Sequence, residues 1–151
     1  MSTEKYSGRM LIRIGGEAGQ GLETVGEMLA KALIRSGYEV LTTQSAMSRI
    51  RGGHNYFSIL TGTEPILGSE EEVDFLVAFT QETVDLHKDA LSDQGLVLIS
   101  QDMEGQGLRS VLSVPYSELA EDKIMANVAA LGVVSAMIGL NQELVSGVVQ
   151  D

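Results

Sequence analysis

The chain has 151 residues, a net charge of −11 from 10 Lys+Arg and 21 Asp+Glu, and no cysteine. That length suits one domain, which can bury roughly 70% of its unfolded surface. The charge argues against nucleic acid and anionic membranes as partners. The lack of cysteine excludes disulfides, Cys-ligated iron–sulfur clusters and a thiol nucleophile within the chain.

The composition, 44% hydrophobic and 21% charged, is that of a folded protein. The start, Met1 to Gly8, is polar and lacks a signal core. The apolar run Ile124 to Leu140 is broken by Asn127 and Ser135. It falls short of a membrane span of about 20 residues. The reading is of a soluble, cytoplasmic protein.

Met10 to Ile14 reads as a strand, Gly15 to Gly21 as a turn, and Leu22 to Ser36 as a helix. The helix has Leu22, Val25, Leu29, Ala32 and Leu33 on one face, and Gly37 to stop it. Tyr38 to Thr43 reads as a second strand. This β-loop-α-β unit implies a parallel pair with a right-handed crossover. Gln44 to Gly53 has neither period. His54 to Leu60 reads as a strand, Thr61 to Glu72 as an acidic loop, and Val73 to Phe79 as a central strand. A short helix over Gln81 to Leu91 follows, then strands at Gly95 to Ser100 and Ser110 to Val114.

Met125 to Leu140 reads as a helix that is apolar all round, with small residues at Ala129, Gly132, Ala136 and Gly139. Such a stripe admits a second backbone, and the helix is either fully buried or packed on a partner. Gln142 to Gln150 reads as the start of a further element, which fits a natural tail or a domain cut from a longer chain. The alternation of strand and helix predicts an α/β fold: one three-layer, Rossmann-like domain over 1–151 with a mostly parallel sheet.

A strand, glycines and a helix form an arrangement that suits anions. As a dinucleotide fingerprint the loop gives Gly16-x-Ala18-x-x-Gly21, with Ala in the middle position. The acidic residue expected after the second strand is missing, since Thr42, Thr43 and Gln44 stand there. Glu17 inside the loop would repel a pyrophosphate. The glycines then make a tight turn only, bind some other anion, or contact a partner. Ser45 to Asn55 is the most distinctive segment. It follows the second strand, which places it on the same carboxyl edge as the glycine loop, where open α/β sheets bind ligands. Arg51 beside Gly52 and Gly53 can present a planar fork to a carboxylate or phosphate. The alternative is a solvated loop pairing with the chain's many acids.

The remaining polar residues carry less. His87 lies in a polar helix and reads as a surface residue. Asp74 reads as a strand-start residue, and Glu70-Glu71-Glu72 as a solvated run. Two distant histidines make no metal site.

Together, Ile14 to Gly21, Ser48 to Asn55, Val73 to Phe79, Pro115 and Asn127 to Gly132 resemble the gamma subunit, or gamma domain, of the 2-oxoacid:ferredoxin oxidoreductases. His54-Asn55 looks like the form fused to the N-terminus of the alpha subunit. Ala18 stands where many members have Gly, and Met47-Ser48 where the separate subunit has Gly-Pro.

The resemblance implies a complex that converts a 2-oxoacid and coenzyme A to acyl-CoA, carbon dioxide and reduced ferredoxin. Thiamine diphosphate, Mg2+, iron–sulfur clusters and coenzyme A are implied for the complex, none of them held by this chain alone. Alpha and beta (thiamine-binding) subunits are the implied partners, and ferredoxin the electron acceptor. The residues near substrate or cofactor would be Arg51, Gly52, Gly53, His54 and Asn55, with Gly16, Gly19, Gln20 and Gly21 in the glycine loop. No catalytic or metal-binding residue is implied here. The competing readings are a free-standing Rossmann-type nucleotide-binding oxidoreductase and a pure interaction module.

Overall fold

A computed structural model of the chain describes residues 9–17, 22–46, 54–62, 72–100, 111–114, 131–136, 140 and 147. In chain order the elements are β1 (Arg9–Glu17), α1 (Leu22–Arg35), β2 (Glu39–Ala46), β3 (His54–Gly62), β4 (Val73–Ala78), α2 (Gln81–His87), a 3₁₀ turn (Lys88–Ala90), β5 (Leu91–Ser100) and β6 (Val111–Val114). Residues 131–136 are helical. The strands form one six-stranded sheet in the order β2-β3-β1-β4-β5-β6. β1 pairs in parallel with β4, β4 with β5, and β5 with β6. β3 runs antiparallel to both its neighbours, β1 and β2.

This order corrects the expected β1–β2 pair. The two strands point the same way but never touch, because β3 is inserted between them. The ladder also explains three boundaries. Gly15, Gly16 and Glu17 are strand rather than turn, since Tyr56, Asn55 and His54 pair with them. Gln44, Ser45 and Ala46 lengthen β2 against Phe57, Tyr56 and Asn55. β5 begins at Leu91, inside the expected helix, because its first residue pairs with Val73 across an irregularity in the β4–β5 register.

Alternation along the strands sorts side chains onto two faces. Met10, Ile12 and Ile14 join Phe57, Ile59, Phe75, Val77 and Leu98 in a core closed by Leu22, Val25, Leu29 and Leu33 of α1 and by Leu131 and Val134. Leu11, Leu60, Leu76, Ala78, Val97 and Ile99 form the second core, closed by Val84 of α2. A fully buried Leu or Ile contributes about 1.5–3 kcal/mol, so these two faces hold the helices in place. The result is the expected three-layer α/β domain.

α1 ends where the sequence places its stop. Gly37 has φ 92°, and its N–H donates to the carbonyl of Ile34 at 3.0 Å. Tyr38 N–H donates to the Leu33 carbonyl at 3.0 Å, closing a Schellman motif. A second α1 glycine matters for packing. A Cβ at Gly26 would sit less than 3.0 Å from three carbons of the Phe57 ring.

The late helix is buried on one side only over 131–136. Leu131, Val134 and Ser135 are buried, Gly132 and Val133 are partly exposed, and Ala136 is exposed. Its exposed side there is itself apolar, while its one polar residue, Ser135, is buried. A Cβ at Gly132 would meet nothing within 4 Å among the described residues. Ala129 and Gly139 lie outside the described residues.

Candidate functional site

The carboxyl edge of the sheet is built by the β1–β3 ladder. β1 ends at Glu17 opposite His54, and Gly16 lies opposite Asn55. Asn55 also faces Ala46, the last residue of β2. The strand ends that lead into 18–21 and into 47–53 are therefore neighbours. Of the expected site residues, Gly16, His54 and Asn55 are brought together here. Gly19, Gln20, Gly21, Arg51, Gly52 and Gly53 lie outside the described residues, as does the side chain of His54. Asn55 is partly buried, and its side-chain Oδ1 is buried with no hydrogen-bond partner among the described residues. Leaving such an acceptor unsatisfied costs about 1–3 kcal/mol.

The neighbouring elements open onto the same edge. Phe79 N–H donates to the Gly15 carbonyl at 2.9 Å, extending the β1–β4 contact past the end of β4. Thr80 then caps α2, its hydroxyl accepting from Thr83 N–H at 3.2 Å.

Asp74 lies at the opposite, amino end of β4. Its Oδ2 accepts the Leu11 N–H at 2.9 Å, and its Oδ1 accepts from Ser92 Oγ at 3.0 Å. It ties β1, β4 and β5 together, which agrees with a structural role at a strand start.

A cluster that the sequence reading did not single out lies on the face that α2 partly covers. The register stacks three cross-strand rows there: Leu41–Leu60–Leu11, Thr43–Ser58–Arg13, and Ser45–Tyr56–Gly15. Arg13 Nε donates to Ser58 Oγ at 3.0 Å, and its Nη1 lies 3.3 Å from His87 Nδ1. The Arg13 guanidinium stands 4.8 Å from the Tyr56 ring centroid, and Tyr56 meets His87 edge-on at 4.8 Å. Burial pushes the Arg13 pKa down, partly offset by Tyr56. An arginine keeps its charge through such a shift.

His87 is 6% exposed, not a surface residue. The signal was the helical spacing of Thr83, Val84 and His87, which share the buried face of α2. For Arg13 the signal was period two. It alternates with Ile12 and Ile14 and so shares the face of Leu11.

Two chemistries can be tested on these residues. Among those described, no group of three or more His, Cys, Asp or Glu is placed to hold a metal ion. With no cysteine in the chain, its residues do not fit an iron–sulfur cluster. A dinucleotide fits no better. The fingerprint needs the second strand beside the first, with an acid at its end. Here β3 occupies that place and β2 ends in Gln44, Ser45 and Ala46. No helix among the described residues is long and apolar enough to cross a membrane.

Known proteins share this arrangement. Residues 11–151 match the family described as pyruvate ferredoxin/flavodoxin oxidoreductase, and the chain belongs to that family. It is similar to the 2-oxoacid:ferredoxin oxidoreductase subunit alpha of a Sulfolobus species, with 31% identity over 108 residues. That match spans 72% of this chain and 17% of the relative. It is also similar to the 2-oxoglutarate synthase subunit KorC of Methanocaldococcus jannaschii. There the identity is 26% over 93% of this chain and 81% of the relative. Among solved structures, the gamma subunit of the keto/oxoacid ferredoxin oxidoreductase from Geobacter sulfurreducens superposes with a TM-score of 0.81. It is 28% identical over 95% of this chain and 84% of that one.

Proposed function

We propose that this chain is the gamma-type subunit or domain of a thiamine-diphosphate-dependent 2-oxoacid:ferredoxin oxidoreductase complex. The complex takes a 2-oxoacid and coenzyme A to acyl-CoA, carbon dioxide and reduced ferredoxin, in the cytoplasm. Thiamine diphosphate with Mg2+ and the iron–sulfur clusters reside in the partner alpha and beta subunits or domains, and supply the carbon–carbon cleavage and electron transfer.

This chain packs beside the thiamine site with its carboxyl edge. The observation that carries the reading is the juxtaposition of Gly16 and Asn55, with the buried Asn55 Oδ1 lacking a donor among the described residues. A donor from a partner subunit or ligand completes that edge. In this reading Arg51, Gly52, Gly53 and His54 form a loop that helps close the partner's site, and Gly19, Gln20 and Gly21 line the same edge. Arg51 sets the charge near the distal end of the 2-oxoacid or near coenzyme A.

The test is Arg51→Ala in a complex reconstituted with its alpha and beta subunits. The reading expects normal assembly with turnover reduced by at least tenfold. Unchanged turnover with unchanged assembly overturns the role of Arg51 and leaves the chain a pure interaction module.

A further inference from the structure

The open half of the sheet face holds a groove of about 120 Å³ at the Thr43–Ser58–Arg13 row. We propose that this groove binds one short aliphatic carboxylate, through Arg13. The inference is independent of the proposed function, and its failure would leave that reading untouched.

A guanidinium has five N–H groups. One of Arg13's is used by Ser58 Oγ and one meets His87 Nδ1. The other three, both of those on Nη2 included, have no acceptor among the described residues. No carboxylate there pairs with Arg13, although the chain carries 21 acidic residues. Arg13 is only partly buried and its unused donors face the groove, where a carboxylate matches the planar fork better than water does.

Size and shape narrow the ligand. A volume of about 120 Å³ holds about four waters at the ~30 Å³ each occupies in the liquid. A pocket that encloses a cofactor runs to ~300 Å³ or more, so this open groove suits a small ligand. The groove also has two ends of different character. Thr43, Ser58, Tyr56 and Arg13 make the polar end, and Leu41, Leu60 and Leu11 make an apolar one. Leu41 is 41% exposed, while α2 packs on β4 and β1 rather than over β2. Leu11 and Leu60 are already buried, so Leu41 is the apolar surface left to cover, and an oxoanion without carbon would leave it wet. A carboxylate with a short alkyl chain uses both ends.

The experiment titrates the full chain, labelled with ¹⁵N-arginine, with acetate, propionate and butyrate at constant ionic strength. The expected result is a saturable shift of the Arg13 Nε–H signal in the millimolar range, tightening about fourfold per added CH₂. Arg35, exposed at the end of α1, stays still, and neutral propionamide gives no shift. Arg13→Lys, which keeps the charge and loses the fork, weakens binding about tenfold, read from the backbone amide shifts of Thr43 and Ser58 in uniformly ¹⁵N-labelled chain. Thr43→Val, at an exposed position and with Arg13 intact as reporter, weakens it several-fold. Four outcomes overturn the proposal: no saturable shift, an equal shift with propionamide, no dependence on chain length, or unchanged binding in both variants. The first would also arise if Arg13 takes its carboxylate from another polypeptide rather than from a free acid.

Discussion

Gly16 and Asn55 face each other across the antiparallel β1–β3 ladder, so the glycine segment and the Arg-Gly-Gly segment leave adjacent strand ends. Asn55 Oδ1 is buried without a partner among the described residues, and the proposed function has a partner subunit or ligand supply the donor. Asn55→Leu removes the orphaned acceptor at similar volume. The free chain should be unchanged or more stable by about 1 kcal/mol in urea denaturation, while assembly with the partner subunits weakens. A loss of more than about 1 kcal/mol with assembly intact would assign Asn55 to the fold alone.

Gly26 sits where α1 comes closest to β3. Ala is the better helix former by about 1 kcal/mol, but its Cβ would overlap the Phe57 ring, which is only 4% exposed. Overpacking costs about 1–3 kcal/mol, so Gly26→Ala should be net destabilising. Adding Phe57→Leu should recover part of the loss. Thermal unfolding of the single and double variants checks this; a stabilised Gly26→Ala would mean the helix shifts freely.

Asp74 joins three strands with one carboxylate. Asp74→Ala strands the Leu11 N–H, on a residue that is 4% exposed, and should cost about 1–3 kcal/mol. Asp74→Asn keeps an acceptor and should lose less. Amide hydrogen exchange at Leu11, fast in the Ala variant and slower in the Asn variant, reads the bond directly.

His87 faces a group that can only donate. With Arg13 Nη1 3.3 Å away, Nδ1 must hold the lone pair, which puts the proton on Nε2. Long-range ¹H–¹⁵N spectra at neutral pH should show the Nε2–H tautomer. An Nδ1–H tautomer or an imidazolium would contradict the contact.

Much of this architecture is readable before any coordinates. α1, with Leu22, Val25, Leu29 and Leu33 on one face and Gly37 at its end, follows from periodicity and one glycine. The central strands β4 and β5 follow from unbroken apolar runs. The insertion of β3 does not, because strand order is set by which ladder closes, and His54 to Gly62 carries no local mark of direction. The same hidden pairing concealed how far β1 and β2 extend, since Gly15, Gly16, Ser45 and Ala46 are poor strand formers held by their partners. At the site, the carboxyl-edge placement of Gly16 and Asn55 was legible from element order. The Arg13–Tyr56–His87 cluster was not, for it joins residues 74 apart in sequence through a sheet face and a helix. The charge of Arg13 was hidden inside an otherwise apolar strand.

In the proposed function this chain works as one part of a thiamine-dependent assembly. The most direct measurement is affinity purification of the tagged chain from its native extract, with co-purifying chains identified by mass and bound thiamine diphosphate and iron quantified. Stoichiometric alpha and beta subunits, thiamine diphosphate and cluster iron are the expected result. Recovery of the chain without these subunits, together with NAD(P) binding by the chain itself, would contradict it.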